Sequence, residues 1–579
     1  MLTEDQLIND LTSLREIALK HKIAGGEFET KKTLINGHEI DVFSNIPNNL
    51  HEVYLLSLEK PNTTFLVYQE ERYSFGETFD AASRMGRVLI EQYNVRKGDR
   101  VGICARNSAE WCIAYMAATI VGAIAVPMNS WWQGRELEFG FVDSGCKTVF
   151  IDSPRRAQLS PYIEQLGLSL IDIKPEKKDP TTSEFFSLIK DVTPLSEAEI
   201  RDLKVLPEDD ASIMYTSGST GNPKGVLSTH RNITNALYTW KYVKEINEIL
   251  RPELVEDNPP YQDSILANVP LFHCTGSHAQ FLLSIIYKRK YVMMYKWEAN
   301  EALRLIERER ITIFHGVPTM TWELMQSDNF DSTDLSSLRG VSGGGAARPP
   351  EHLKMMVARF PKAAIPGLGY GLTETNAIGA IISGKFYQTR PNSTGRPTPP
   401  VTSVQIFNES GKSVAMGQVG EVGIKGPTVM KGYWNNSVAT DKVMRNGWFI
   451  TGDIGMLDET GFLIILDRAK DIVIRGGENI GCAEVEYAFH EHSAVSEVAV
   501  YGIPDERLGE ALCATVMIRP SEKVSEEILK DFLKDRIAAF KVPAKIFLQH
   551  EQLPRGSTGK IAKKQIRSET IEKLQTTVI

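Results

Sequence analysis

Three observations predict an α/β protein of more than one domain, its sheets largely covered by helices. Short β-rich runs alternate with helix-length amphipathic segments, no fixed-period repeat or low-complexity tract interrupts them, and 579 residues suffice for several globular units. The 42% hydrophobic and 24% charged residues are the proportions of an ordinary water-soluble chain.

The elements follow in order. Leu2, Leu7, Leu11, Leu14 and Ile17 alternate with Glu4, Asp5, Asp10 and Glu16, which predicts an amphipathic helix and no secretory signal; residues 1–45 are expected to form a helical extension. Trp111–Met128 carries no charge, the pattern of a candidate membrane span, but Gly122 and Pro127 divide it into a buried helix and a short strand over Ala123–Val126. Thr148–Asp152, Ser264–Val269, Thr312–Gly316, Val404–Phe407 and Phe462–Leu466 read as strands, and Glu301–Arg310 as a helix. The Glu, Asn and Pro content of Asn235–Ser264 suggests a surface insertion. The last residues, Thr576–Ile579, hold no peroxisomal tripeptide or lipidation cysteine.

A net charge of −8 and a pI near 5.9 give no electrostatic footprint for nucleic acid and fit a cytoplasmic enzyme of small molecules. Cys104, Cys112, Cys146, Cys274, Cys482 and Cys513 are scattered, which predicts reduced structural thiols, and no histidine pair has zinc-ligand spacing.

The most informative segment is Ala211–Gly225, where an apolar run feeds a loop rich in hydroxyls and glycines that ends in a lysine. Gly218 and Gly221 let backbone N–H groups approach phosphate oxygens, the hydroxyls of Thr216, Ser217, Ser219 and Thr220 add donors, and Lys224 adds charge. A P-loop needs Gly before the lysine and Ser or Thr after it; here Pro223 and Gly225 flank Lys224, and Val226-Leu227 continues as a strand. On its own the segment is also compatible with a flexible surface loop.

Five further motifs accompany it: Gly369-Tyr-Gly-Leu-Thr-Glu374, Gly447-Trp-Phe-Ile-Thr-Gly-Asp453, Asp467-Arg-Ala-Lys-Asp471, Arg475-Gly-Gly-Glu-Asn479 and Pro554-Arg-Gly-Ser-Thr-Gly-Lys560. Together and in this order they resemble the adenylate-forming superfamily of acyl-CoA synthetases, aryl-CoA ligases, firefly-type luciferases and peptide-synthetase adenylation domains, over roughly residues 50–570. The resemblance implies a large multi-subdomain N-terminal AMP-binding domain over residues 1–466, a hinge at 467–470 with Lys470 in it, and a small mobile α+β C-terminal domain over 471–579.

It also implies roles. Lys560 would bridge the carboxylate and α-phosphate during adenylation, and Glu374 with Thr216 would hold Mg²⁺ on the phosphates of ATP. From composition alone, Lys560 would read as a surface lysine in a basic tail with Lys563 and Lys564. Tyr370 would offer a flat face to adenine beside Gly369, Thr373 and a turn spanning Gly343, Gly344 and Ala346, while Asp453 and Arg468 would meet the ribose. His273, in Pro270-Leu-Phe-His-Cys-Thr-Gly276, would lie beside the acyl carboxylate, where amino-acid-activating relatives carry an aspartate. Gly371 stands where acetyl-specific relatives carry Trp, which suggests an open acyl wall. Gly476, Gly477 and Glu478 would help build the pantetheine tunnel for coenzyme A, although Gly481-Cys482 replaces the usual Tyr-Pro.

The sequence thus points to an acid:CoA ligase for a medium- or long-chain fatty acid. Alternatives are an aryl acid, transfer to an acyl carrier protein, or an inactive nucleotide-binding scaffold; a homodimer is compatible with all of them.

Overall fold

The computed structural model describes residues 25–174, 183–216, 223–250, 259–469, 471–475, 478–505, 507–520, 522–556 and 559–576. The predicted helix over the first residues lies outside these. The rest of the expected helical extension is corrected: Thr30–Ile35 and His38–Phe43 pair as an antiparallel hairpin. Its turn is Asn36-Gly37, with φ of 49° and 79°, the left-handed pair that two-residue hairpins favour, and this local signal outweighs the helical periodicity upstream.

Two large, mostly parallel sheets form the bulk of the chain. In the eight-stranded sheet, Ile124–Pro127, Arg100–Cys104, Thr148–Asp152 and Ser169–Ile173 run parallel, and Asp210–Thr216 turns back antiparallel into Lys224–Thr229. In the nine-stranded sheet, Ile365–Tyr370, Gly340–Gly344, Ile313–Gly316, Ser264–Ala267, Lys290–Met293 and Thr64–Tyr68 lie side by side and parallel. Covered on their faces, such strands read as nearly continuous apolar runs, which is why the sequence shows them. Gly316, Gly344, Tyr370 and Thr216 all end strands, and in open α/β sheets ligands bind at the carboxyl ends.

Helix Ala109–Ile120 is buried at every position, and the Ser108 hydroxyl caps it by accepting from the Trp111 N–H at 3.2 Å. The strand Ile124–Pro127 follows it as the glycine and proline predicted. Among the described residues no helix is long and apolar enough to cross a membrane. All six cysteines are free and buried.

The expected insertion after Asn235 is also corrected. Helix His230–Leu250 occupies its first part, burying Leu237, Tyr238, Tyr242 and Ile246, while residues 251–258 lie outside the described ones. The apolar residues recur at helical spacing and pack into the main core, so their burial overrides the polar composition.

A third sheet, built around Trp448–Leu457, carries Leu463–Arg468 antiparallel at its side. Beyond it the carboxyl-terminal unit has its own sheet, with the hairpin Val495–Asp505/Gly509–Ile518 and the parallel strand Lys545–Gln549. Helices Cys482–His490 and Glu526–Lys534 close a separate core that includes Val485, Phe489, Leu512 and Leu533. The result is a large amino-terminal α/β domain and a small carboxyl-terminal one.

Candidate active site

The strand ends converge on one cleft. Gly344 lies opposite Gly369 in the parallel ladder, and a Cβ on Gly344 would come to 3.0 Å from the Gly369 carbonyl oxygen, so the two backbones approach closely and a side chain there would push them apart. The expected turn from Gly343 to Ala346 is narrower than the sequence suggested, because Gly343 and Gly344 belong to the strand and the chain turns at Gly345, with φ of 75°. Tyr370 ends the neighbouring strand, and its hydroxyl donates to Asp453 Oδ2 at 2.5 Å. The register of Trp448–Leu457 against Leu463–Arg468 pairs Asp453 with Arg468, whose Nε reaches Oδ1 at 2.6 Å. Burial raises the Asp453 pKa, against the pull of Arg468 and the Tyr370 hydroxyl. A buried carboxylate with both oxygens accepting is poised to exchange these partners for other hydroxyl donors.

The hairpin Asp210–Thr216/Lys224–Thr229 brings Thr216 opposite Lys224, with the Thr216 hydroxyl 3.5 Å from the Lys224 carbonyl oxygen. Ser217, Gly218, Ser219, Thr220 and Gly221 lie outside the described residues, as do Lys470, Gly476 and Gly477. Lys224 Nζ stands 4.9 Å over the ring of Tyr433, and the Tyr433 hydroxyl donates to Glu374 Oε1 at 2.8 Å. A cation, a phenol and a carboxylate thus line one side of the cleft. Tyr433 escaped the sequence reading; it comes from a short strand whose pairing with Val226 is set only in three dimensions.

On the acyl side, His273 precedes a π-helical stretch over Thr275–Leu282, an irregularity frequent at functional sites. Burial, reinforced by the Lys560 charge, lowers its pKa to about 3, so the imidazole is neutral, and Nε2 is enclosed without a hydrogen-bond partner. Thr373 lies beside it through a 3.9 Å contact from Cys274 Sγ to the threonine hydroxyl. The open wall expected at Gly371 is corrected. A Cβ there would lie 2.4 Å from the Ala377 carbonyl carbon and 2.5 Å from its oxygen, so this glycine is required by a close backbone approach.

Lys560 enters from the small domain. Its Nζ lies 3.6 Å from where a Gly345 Cβ would stand, and the Thr319 hydroxyl donates to the Gly559 carbonyl at 3.4 Å. The side chain is exposed to cleft water yet walled in by protein, and desolvation, then the Arg468 charge, lowers its pKa. Lys563 does not extend a basic tail, since it is paired with the Glu486 carboxylate at 2.7 Å. Glu323, another residue the sequence left unmarked, bridges the domains: Arg555 lies 3.3 Å from it and Gln552 donates to it at 3.1 Å.

Glu478 opens the strand Glu478–Ile480, antiparallel to Val473–Arg475, and Gly481 precedes the helix beginning at Cys482. The cleft between these walls is one cavity of about 2240 Å³, lined by Thr216, Lys224, Tyr370, Glu374, Asp453 and Lys560 among others. That volume exceeds the roughly 300–1,000 Å³ of a site for one small ligand and leaves room for two side by side.

Comparison with known proteins agrees with this geometry. The family model for AMP-binding enzymes matches residues 57–434, and that for the AMP-binding enzyme C-terminal domain matches residues 484–560. The long-chain-fatty-acid–CoA ligase of Bacillus subtilis is 32% identical over 546 residues, covering 88% of this chain and 92% of the relative. The mitochondrial medium-chain acyl-CoA ligase of Bos taurus is 30% identical over 536 residues, covering 88% and 85%. Among solved structures, the o-succinylbenzoate coenzyme A synthetase of Bacillus subtilis in complex with ATP and a magnesium ion superposes with a TM-score of 0.73 at 29% identity, covering 90% of this chain and 99% of that one.

Proposed function

This chain belongs to the AMP-binding enzyme family and is an AMP-forming acyl-CoA synthetase, and from that premise we propose that it activates a medium- or long-chain aliphatic acid in two steps. In the first, the acid carboxylate attacks the α-phosphorus of ATP, giving an acyl-adenylate and pyrophosphate. In the second, the thiolate of coenzyme A attacks the acyl carbon and AMP leaves.

The observation that carries the reading is the position of Lys560. A cation from the small domain stands against Gly345, in the same cleft as His273, Tyr370 and Asp453. There it can neutralise charge that develops between two anionic reactants in a partly desolvated site. The neutral His273 adds no competing charge beside the carboxylate. Adenine would lie against Tyr370, Gly369 and the strand end at Gly344, and the ribose hydroxyls would replace Tyr370 and Arg468 as partners of Asp453. Glu374 and Thr216 suit a hard, oxygen-seeking cation, so Mg²⁺ would be held there with the phosphates, beside Lys224; it would supply charge neutralisation. Residues 1–466 would be the adenylation domain and 467–470 the hinge about which 471–579 rotates to admit coenzyme A.

An assay of AMP release over a panel of fatty and aryl acids, with and without coenzyme A, tests this. Release that depends on a medium or long aliphatic acid and on coenzyme A is expected. Preference for aryl acids, or turnover only with an acyl carrier protein, would overturn the assignment.

A further inference from the structure

We propose that Arg289 recognises a carboxylate at the far end of the acyl chain, so that the acid activated is a medium- or long-chain aliphatic dicarboxylic acid. This rests on the ligase reading above and names its substrate class.

The cavity has a defined length. Thr275, Ala279, Leu283 and Tyr287, each four residues from the last, all border it, so one face of the helical ribbon that starts beside His273 forms a continuous wall. At a rise of at most about 1.5 Å per residue, its twelve steps span roughly 15–18 Å, the reach of a medium-to-long chain rather than of a short diacid. Trp240 and Val243 of helix His230–Leu250 also line the cavity. For a plain fatty acid, apolar lining to the end would be enough.

The end is not apolar. Lys288 closes the ribbon in the left-handed conformation, with φ of 55°, and Arg289 follows it, bordering the cavity at 6% exposure. Among the described residues its guanidinium makes no hydrogen bond and no ion pair, and Nε is enclosed without a partner. It stacks over the ring of Tyr287, at 4.1 Å. Of the nearby acids, Glu248 is paired with Lys244, and neither Glu248 nor Asp263 is within ion-pair distance of Arg289. His315, which also faces the cavity, is occupied with the Ser342 hydroxyl at 2.7 Å and is held neutral by burial. An arginine keeps its charge, and burying one without a counter-charge is costly. Its planar fork of donors matches a carboxylate in bidentate fashion, which a lysine does not. A substrate carboxylate reaching this point would complete the pair.

The test uses the full-length enzyme with ATP, Mg²⁺ and coenzyme A, and measures AMP release with lauric acid and with its ω-hydroxy and ω-carboxy derivatives. Wild type should prefer the ω-carboxy acid by about tenfold or more in kcat/KM. Arg289→Leu should invert that ranking, and Arg289→Lys should retain an intermediate preference; ATP binding by calorimetry reports that each variant is folded. Preference of the wild type for lauric acid or its ω-hydroxy derivative, or a ranking unchanged in Arg289→Leu, would overturn the inference. If these acids are turned over without discrimination, only this inference falls; if no acid in the panel is activated, the ligase reading falls with it.

Discussion

Asp453 and Lys560 face the same cleft, yet the two domains hold them differently. Asp453 sits in the middle of a paired strand, with Tyr370 on one oxygen, Arg468 on the other and the Thr451 hydroxyl accepting from its backbone N–H at 3.1 Å. Lys560 makes no hydrogen bond through its ammonium group among the described residues, and its loop meets the large domain through Thr319 and Glu323, with Gly559 beside Val317 and Met320. The small domain keeps its own core, which includes Val485, Phe489, Leu512 and Leu533. Asp453 is fixed within a sheet, whereas the Lys560 loop meets the large domain partly through polar contacts that can exchange.

Removing the small domain's cation should have the largest effect. Lys560→Ala is expected to slow acyl-adenylate formation by about two decades, or ~3 kcal/mol, with little change in folding. Acid-dependent pyrophosphate exchange within about threefold of wild type would show that the cation is dispensable.

Fixing the connection should separate the steps. With proline at the proposed hinge, Lys470→Pro is expected to preserve adenylation but to slow coenzyme A-dependent decay of preformed acyl-adenylate by about tenfold or more. Single-turnover measurements distinguish this from equal damage to both steps, which would mean misfolding or a hinge elsewhere.

The fixed half should be intolerant of volume. Gly371→Ala drives a methyl group into the backbone of Ala377, itself left-handed at φ of 63°, so a loss of about 1–3 kcal/mol is expected in denaturant unfolding. An unchanged midpoint would mean that this backbone yields more easily than the comparison supposes.

His273 sharpens the contrast through pH. Its pKa is about 3 in the folded chain against 6.5 as a free side chain, chiefly through burial. The stability it contributes is therefore fully present above pH 6.5 and is lost as the pH falls from there toward 3. His273→Gln does not titrate, so its melting temperature should gain on wild type across that window; parallel curves would show that His273 is not held neutral.

The smallest change is expected at the seam. Glu323→Gln weakens the contacts of Arg555 and Gln552 with the large domain, and adenylation should fall about two- to threefold, the scale of a partly exposed ion pair. A loss as great as that of Lys560→Ala would mean that the small domain depends on this one contact.

Much of this was legible in the chain because it is written locally. The strand runs at Thr148–Asp152 and Ser264–Ala267, the helix Ala299–Glu309 and the strand that begins at Lys224 follow from apolar spacing, glycine and proline. The motifs at Glu374, Asp453 and Lys560 pointed to phosphate and carboxylate chemistry through their resemblance to the adenylate-forming superfamily, and the three residues line one cleft. Where local signals competed, the reading failed: the Asn36-Gly37 turn outweighed a helical extension, and core burial carried the helix from His230 past Asn235. Tertiary structure alone decided that Tyr433 bridges Lys224 and Glu374, that Gly371 is hemmed in by Ala377, that Glu323 ties the domains, and that Arg289 borders the cavity with no hydrogen bond or ion pair from its guanidinium among the described residues. Those facts concern which groups meet in space, and a local pattern does not encode them. A sequence fixes which side chains are available, and only packing fixes which of them meet.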